Sequence, residues 1–124
     1  MSTLRVTTLA TQAGVEVYTA KAWVNFNGTG TVAIRASGNV SSITDNGTGS
    51  YTVNLTNAMP DGNYSVVASG SPSGTWAASV NALLGNRAAV TVPAPSVSSF
   101  AISYVNQSTG GAFDVEYAFA VIFR

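Results

Sequence analysis

The sequence predicts an all-β protein, a compact antiparallel β-sandwich of about eight or nine short strands with an extended N-terminal segment. Three observations predict it. Apolar residues recur at every second position in several short runs, the spacing that places them on one face of a strand. Clusters of Asn, Asp, Gly, Ser and Pro separate those runs every few residues, as turns do. Helical spacing is arguable only in Trp76–Leu84, and Gly85 closes that stretch after about two turns, too short to be stable alone.

Residues 1–20 read as an attachment or strand-exchange segment, and 21–124 as the sandwich head domain. Leu4 and Val6 alternate with Arg5 and Thr7 before Thr11-Gln12-Ala13-Gly14 breaks the run. The segment has too few large apolar residues for a core. It is suited to pairing with another chain or a sheet edge, or to fraying as a terminus.

Lys21–Phe26 and Thr31–Ala36 flank Asn27-Gly28-Thr29-Gly30, a hairpin signal. Val24 and Phe26, with Val32 and Ile34, are expected to face inward, and Trp23, on the opposite face from Val24, is expected in a core role, with a subunit contact, where Trp is enriched, as the alternative. Ser41–Tyr64 reads as a meander. Ile43 closes one strand, Asp45–Ser50 turns it, Tyr51, Val53 and Leu55 alternate, and Met59–Asn63 turns again into Tyr64.

Tyr64–Ser69 is the next strand, and Gly70-Ser71-Pro72-Ser73-Gly74 a loop. Trp76–Leu84 is expected as an irregular strand, and Arg87–Val92 as a strand ended by Pro93 and Pro95. Phe100, Ile102 and Tyr104 alternate in the next. The last run is the longest, with Phe113, Val115, Tyr117, Phe119, Val121 and Phe123 on one side. Its other side passes from Asp114 and Glu116 to Ala118, Ala120 and Ile122. A strand dry on both faces is central in a sandwich or pressed against another subunit.

Composition narrows function. The chain has 124 residues, enough for one domain. It carries 8% charged residues and no net charge, against roughly 25% charged in ordinary soluble domains. That leaves no electrostatic footprint for nucleic acid. Surface hidden in contacts, or a surface of Ser, Thr and Asn, explains so little charge. No apolar run is long enough to span a bilayer as a helix, and Met1–Val6 does not read as a signal peptide. The six Asn-x-Ser/Thr triplets read as by-products of Asn-rich strands and turns.

Cys and His are absent. That removes the usual nucleophile–base pairs and the thiolate- or imidazole-bound metals. Asp114 and Glu116, two apart on the last run, are the one carboxylate pair to weigh for glycoside hydrolysis or calcium; a solvated strand start explains them more simply. Asp45 and Asp61 occupy turn positions where Asp bonds local backbone, and Arg35 and Arg87 read as partners for scattered carboxylates. No catalytic residue, cofactor or metal is expected. Ser71, Ser73, Thr75, Trp76, Asn106, Gln107, Ser108 and Thr109 have the composition of sugar-contacting loops, and ordinary polar loops share it.

Ala20–Val66 resembles a module of tail-fibre and related virion proteins of marine and freshwater bacteriophages. The residues that carry this are Lys21–Phe26, Ile43–Gly49 with Tyr51-Thr52-Val53, and Met59-Pro60-Asp61. Ser2–Val6 followed by Gly14 also looks like the opening of such fibre proteins. The resemblance fades after about residue 70 and lacks the long shaft of a fibre.

It implies a non-enzymatic virion surface protein, a short tail-fibre-like homotrimer involved in host-surface adhesion, with a capsid decoration protein as the alternative. A carbohydrate-binding or carbohydrate-active module is a distant third. Partners would be further copies of the chain, other virion proteins through the N-terminal segment, and a host-surface glycan at the loops named above. Neither nucleic acid nor membrane insertion is expected. Leu4, Val6, Phe119, Val121, Ile122 and Phe123 are the expected subunit interface.

Overall fold

The computed structural model describes residues 3, 5, 7–8, 10–14, 17–72, 80–83 (main chain only), 92–106 and 109–124. Strands account for the regular structure among them, and no helix occurs. They are β1 (Ala20–Asn27), β2 (Ala33–Gly38), β3 (Val40–Asp45), β4 (Ser50–Leu55), β5 (Ser65–Ser71), β6 (Val80–Leu83), β7 (Ser99–Asn106) and β8 (Tyr117–Phe123). Two four-stranded sheets, β2-β1-β8-β5 and β3-β4-β7-β6, pack face to face, and every neighbouring pair is antiparallel. This is the expected β-sandwich.

Alternation places the core. Val24 and Phe26 point in from β1, Tyr51, Val53 and Leu55 from β4, and Phe100, Ile102 and Tyr104 from β7. The two hairpins form as expected, β1 with β2 and β3 with β4. In the second, Gly47 N donates to Asp45 Oδ1 at 3.0 Å, the Asx geometry that makes Asp a turn residue. Asp61 does the same for Asn63 N at 2.8 Å.

Four expectations on the strands change. Ser41–Tyr64 is not a meander: its hairpin lies in one sheet, and the turn at Met59–Asn63 carries the chain across to β5 in the other. Ile34 pairs with Phe26 but stays exposed, on β2 at the edge of its sheet. Gly70 and Ser71 belong to β5. Gly70 stays in the sheet because the Tyr104 ring crosses over it, so that a Cβ there would lie 2.7 Å from the ring. The last strand begins only at Tyr117; Phe113–Glu116 is irregular.

Val80–Leu83 is a short strand, in line with the irregular one expected there. Of the strand expected at Arg87–Val92, residues 87–91 lie outside the described residues and Val92 is not in a strand.

β8 is central, between β1 and β5, and buries Ala118, Ala120 and Ile122. Pairing explains why its small residues face in. Ala118 lies opposite Phe26 and Ala120 opposite Val24, so bulky neighbours on β1 already fill that layer.

Tyrosine hydroxyls tie the sheets together. Tyr104 crosses from β7 to within 2.9 Å of Ser69 O and 3.4 Å of Phe119 O. Tyr64 reaches Ser96 O at 2.8 Å and Ser99 O at 3.0 Å. Asn39, held at φ 55° between β2 and β3, clamps the end where the chain enters β1. Its Nδ2 donates to Lys21 O and Asn57 O, and its Oδ1 accepts from Asn57 N at 2.7 Å.

Candidate functional site

The two outward faces of the sandwich differ in chemistry. On β3 and β4, Asn54 Nδ2 donates to Ser42 Oγ at 3.1 Å and Thr44 Oγ1 at 3.0 Å, and Asn46 Nδ2 to Thr52 Oγ1 at 2.8 Å. The β3–β4 half of that face carries a hydrogen-bonded layer of Ser, Thr and Asn.

The outward face of β2-β1-β8-β5 is apolar. Register aligns it in rows: Gly38, Trp23, Val121 and Val67 in one, then Ala36, Asn25, Phe119 and Ser69, then Ala20, Phe123 and Ser65. No residue of these rows is charged. Trp23 is 45% exposed, Val67 57% and Phe123 40%. The Trp23 indole lies flat over Gly38, where a Cβ would strike it, and a shallow trough runs between Trp23, Phe119, Val121 and Val67. Trp23 is therefore a surface residue and not part of the core, because its neighbours Ala22 and Val24 take the inward positions. In the middle row, Asn25 Oδ1 is buried with no hydrogen-bond partner.

Of the expected interface residues, Phe119, Val121 and Phe123 lie together on this face. Ile122 does not: it is fully buried in the core, since residues adjacent in a strand point to opposite faces. Leu4 and Val6 lie outside the described residues. Trp23, for which a subunit contact was the alternative to a core role, and Val67, which was not expected there, complete the face; the cross-strand rows that unite them depend on register, which a single strand's alternation does not reveal.

The expected sugar-contacting loops fare differently. Ser73, Thr75, Trp76, Gln107 and Ser108 lie outside the described residues. Ser71 is 2% exposed where β5 ends opposite Tyr117, so it is no contact residue. Asn106 and Thr109 turn inward on their own loop. Asn106 Oδ1 accepts from Thr109 N, and Thr109 Oγ1 accepts from Gly111 N, both at 3.3 Å.

Asp114 is part of the structure at that end of the sandwich. Its Oδ1 accepts from Gly49 N at 2.8 Å and lies 3.0 Å from the Tyr51 hydroxyl, which also lies 2.8 Å from Gly28 O. Burial, with Asp114 beside it, pushes the Tyr51 hydroxyl well above its usual range. Arg35 donates to Glu116 O at 2.7 Å, a backbone carbonyl and not the carboxylate expected of it, and stacks 4.3 Å over the Tyr117 ring. Arg87 lies outside the described residues. The one ion pair among the described residues is Arg124 with Asp61, exposed on the surface.

No grouping of three or more Asp, Glu, His or Cys occurs among the described residues. No helix there is long and apolar enough to cross a membrane. No known family model, curated protein or solved structure matches the chain.

Proposed function

We propose that this chain is a non-enzymatic structural subunit of a bacteriophage virion surface, tail-fibre-like, which works as a homo-oligomer of three copies and serves adhesion to the host surface. The sequence resemblance over Ala20–Val66 suggests the virion setting. The observation that carries the self-assembly is the set of neutral cross-strand rows on the outward face of β2-β1-β8-β5, with Trp23, Val67 and Phe123 each 40% or more exposed. Aromatic residues are enriched and charges depleted at the centre of protein contacts, and this face has that composition. A contiguous apolar face of this kind marks a contact surface in a soluble protein.

Light scattering or native mass spectrometry at micromolar concentration tests the reading. Three copies are expected, and Trp23→Ser with Phe123→Ser releases single copies that keep the far-ultraviolet spectrum of the parent. A clean monomer of the parent chain at that concentration overturns it.

A further inference from the structure

Asn25 is the one amide in the neutral rows around Trp23 and Phe119. Asn is depleted in strands, and on an apolar face it is the exception. Its Oδ1 is buried without a hydrogen-bond partner, a state that calls for a reason. The single copy supplies none. Asn27, Asn39, Asn46, Asn54 and Asn106 each use the side-chain amide to bind a neighbour in the same copy. Position sets Asn25 apart as well. It lies on β1, which with β8 forms the middle of the sheet β2-β1-β8-β5. Its partner across β8 is Phe119, in the row between Trp23–Val121 and Tyr117–Ser71.

We propose that Asn25 aligns the copies in the assembly: the three Asn25 side chains meet where the three-fold axis crosses the face, each amide nitrogen donating to the side-chain oxygen of the next copy. The inference rests on the three-copy contact proposed above and names the residue that fixes one copy against another. Three sheets packed around an axis bring their middle strands closest to it, and here those strands are β1 and β8. An amide both donates and accepts, so three of them close a ring with every link made. Turning Oδ1 out of its buried position breaks no hydrogen bond, because it has none. A copy slid along the strands sets the amide against Trp23, Val121 or Phe119 of its neighbour, where it stays unpaired and desolvated. Leaving such a group unmade is costly. A single polar residue in an apolar contact acts in this way, lowering stability while selecting register and number.

Sedimentation and native mass spectrometry of the full chain at micromolar concentration test this with two variants, each checked for folding by its far-ultraviolet spectrum. Asn25→Asp brings three carboxylates together at the axis. It should associate at least about tenfold more weakly near pH 7 than near pH 4, where the carboxyl takes up its proton, while the parent assembles alike at both. Asn25→Val removes the orphaned amide and with it the penalty on slid arrangements. It should associate at least as tightly as the parent, but as a mixture of masses. With a three-copy parent, Asn25→Asp that assembles equally at both pH values shows that the amides do not meet, and Asn25→Val that stays purely three-copy shows that they do not align. Either result overturns the ring and leaves the face contact standing. If Asn25→Asp does not fold, Asn25→Val decides alone. A parent that is a single copy removes the face contact, and the ring with it.

Discussion

Replacing Gly49 by Ala tests the closed end of the sandwich, where Gly49, Tyr51, Tyr104 and Phe113–Asp114 meet. Gly49 has φ 66°, and a Cβ there would lie 2.6 Å from Phe113 O, 2.7 Å from Tyr104 O and 2.8 Å from Phe113 N. The left-handed backbone costs a residue with a Cβ about 1–2 kcal/mol. Three backbone atoms inside contact distance cannot rotate away as side chains do, which adds about 1–3 kcal/mol of overpacking. The expected loss is about 2–5 kcal/mol. Gly30 separates the two contributions: its φ is 57°, in the same region, and a Cβ there meets nothing within 4 Å. Gly30→Ala should therefore cost the backbone contribution alone, about 1–2 kcal/mol. Urea unfolding measures both. With a slope of about 1–3 kcal/mol per molar for a small domain, Gly49→Ala should show a midpoint clearly below that of Gly30→Ala at unchanged slope. Equal midpoints would refute the packing at this end.

Two further results are expected. Asn39→Gly keeps the positive φ but removes the side-chain bonds to Lys21 O, Asn57 O and Asn57 N; at about 0.5–1.5 kcal/mol net for each, it should lower the thermal midpoint by several degrees, whereas a loss no greater than a surface Ser→Gly refutes the clamp. Tyr51, Tyr64 and Tyr104 are all pushed above the ordinary range, chiefly by burial. Their stabilisation is complete below the unfolded tyrosine value of about 10 and is lost as pH rises above it. Alkaline titration by tyrosinate absorbance should show these three ionising together with unfolding, and three free titrations in the folded state would contradict their burial.

Much of the fold is legible where a strand has one wet and one dry face. β4 is the clearest: Tyr51, Val53 and Leu55 against Thr52 and Asn54 allow one orientation only, and the structure adopts it. β8 shows where that logic stops. Both of its sides are apolar, so hydrophobicity alone cannot choose between Phe119, Val121 and Phe123 on one side and Ala118, Ala120 and Ile122 on the other. The choice is made by pairing with Phe26 and Val24, which are about ninety residues away in sequence. Met59–Asn63 announces a reversal but contains nothing that says which sheet receives the next strand. Asp114 looks like a strand residue by period, yet its carboxylate is drawn to Gly49 N and Tyr51, and the strand starts after it. The proposed contact face was half visible, through Phe119, Val121 and Phe123 and the contact alternative for Trp23; Val67 joins it only once register is known.

The scarcity of charge admitted two explanations, hidden surface or a surface of neutral polar groups, and the second is visible on β3 and β4. Ser42, Thr44, Thr52 and Asn54 satisfy one another on β3 and β4, so that side meets water without ions. Opposite them, the rows around Trp23 and Phe119 have neither ions nor such a network. Among the described residues the charges are dispersed: Arg35 sits on the β2 edge, Asp45 at the end of β3, Asp114 and Glu116 before β8, Asp61 with Arg124 at the far end, and Lys21 on β1 two positions from Trp23. A charge desolvated in a contact costs several kcal/mol unless paired, so selection for assembly removes charge from contact surfaces and leaves it at their rims. Here the row Trp23, Val121, Val67 runs neutral from β1 across β8 to β5, as the proposed assembly through this face requires.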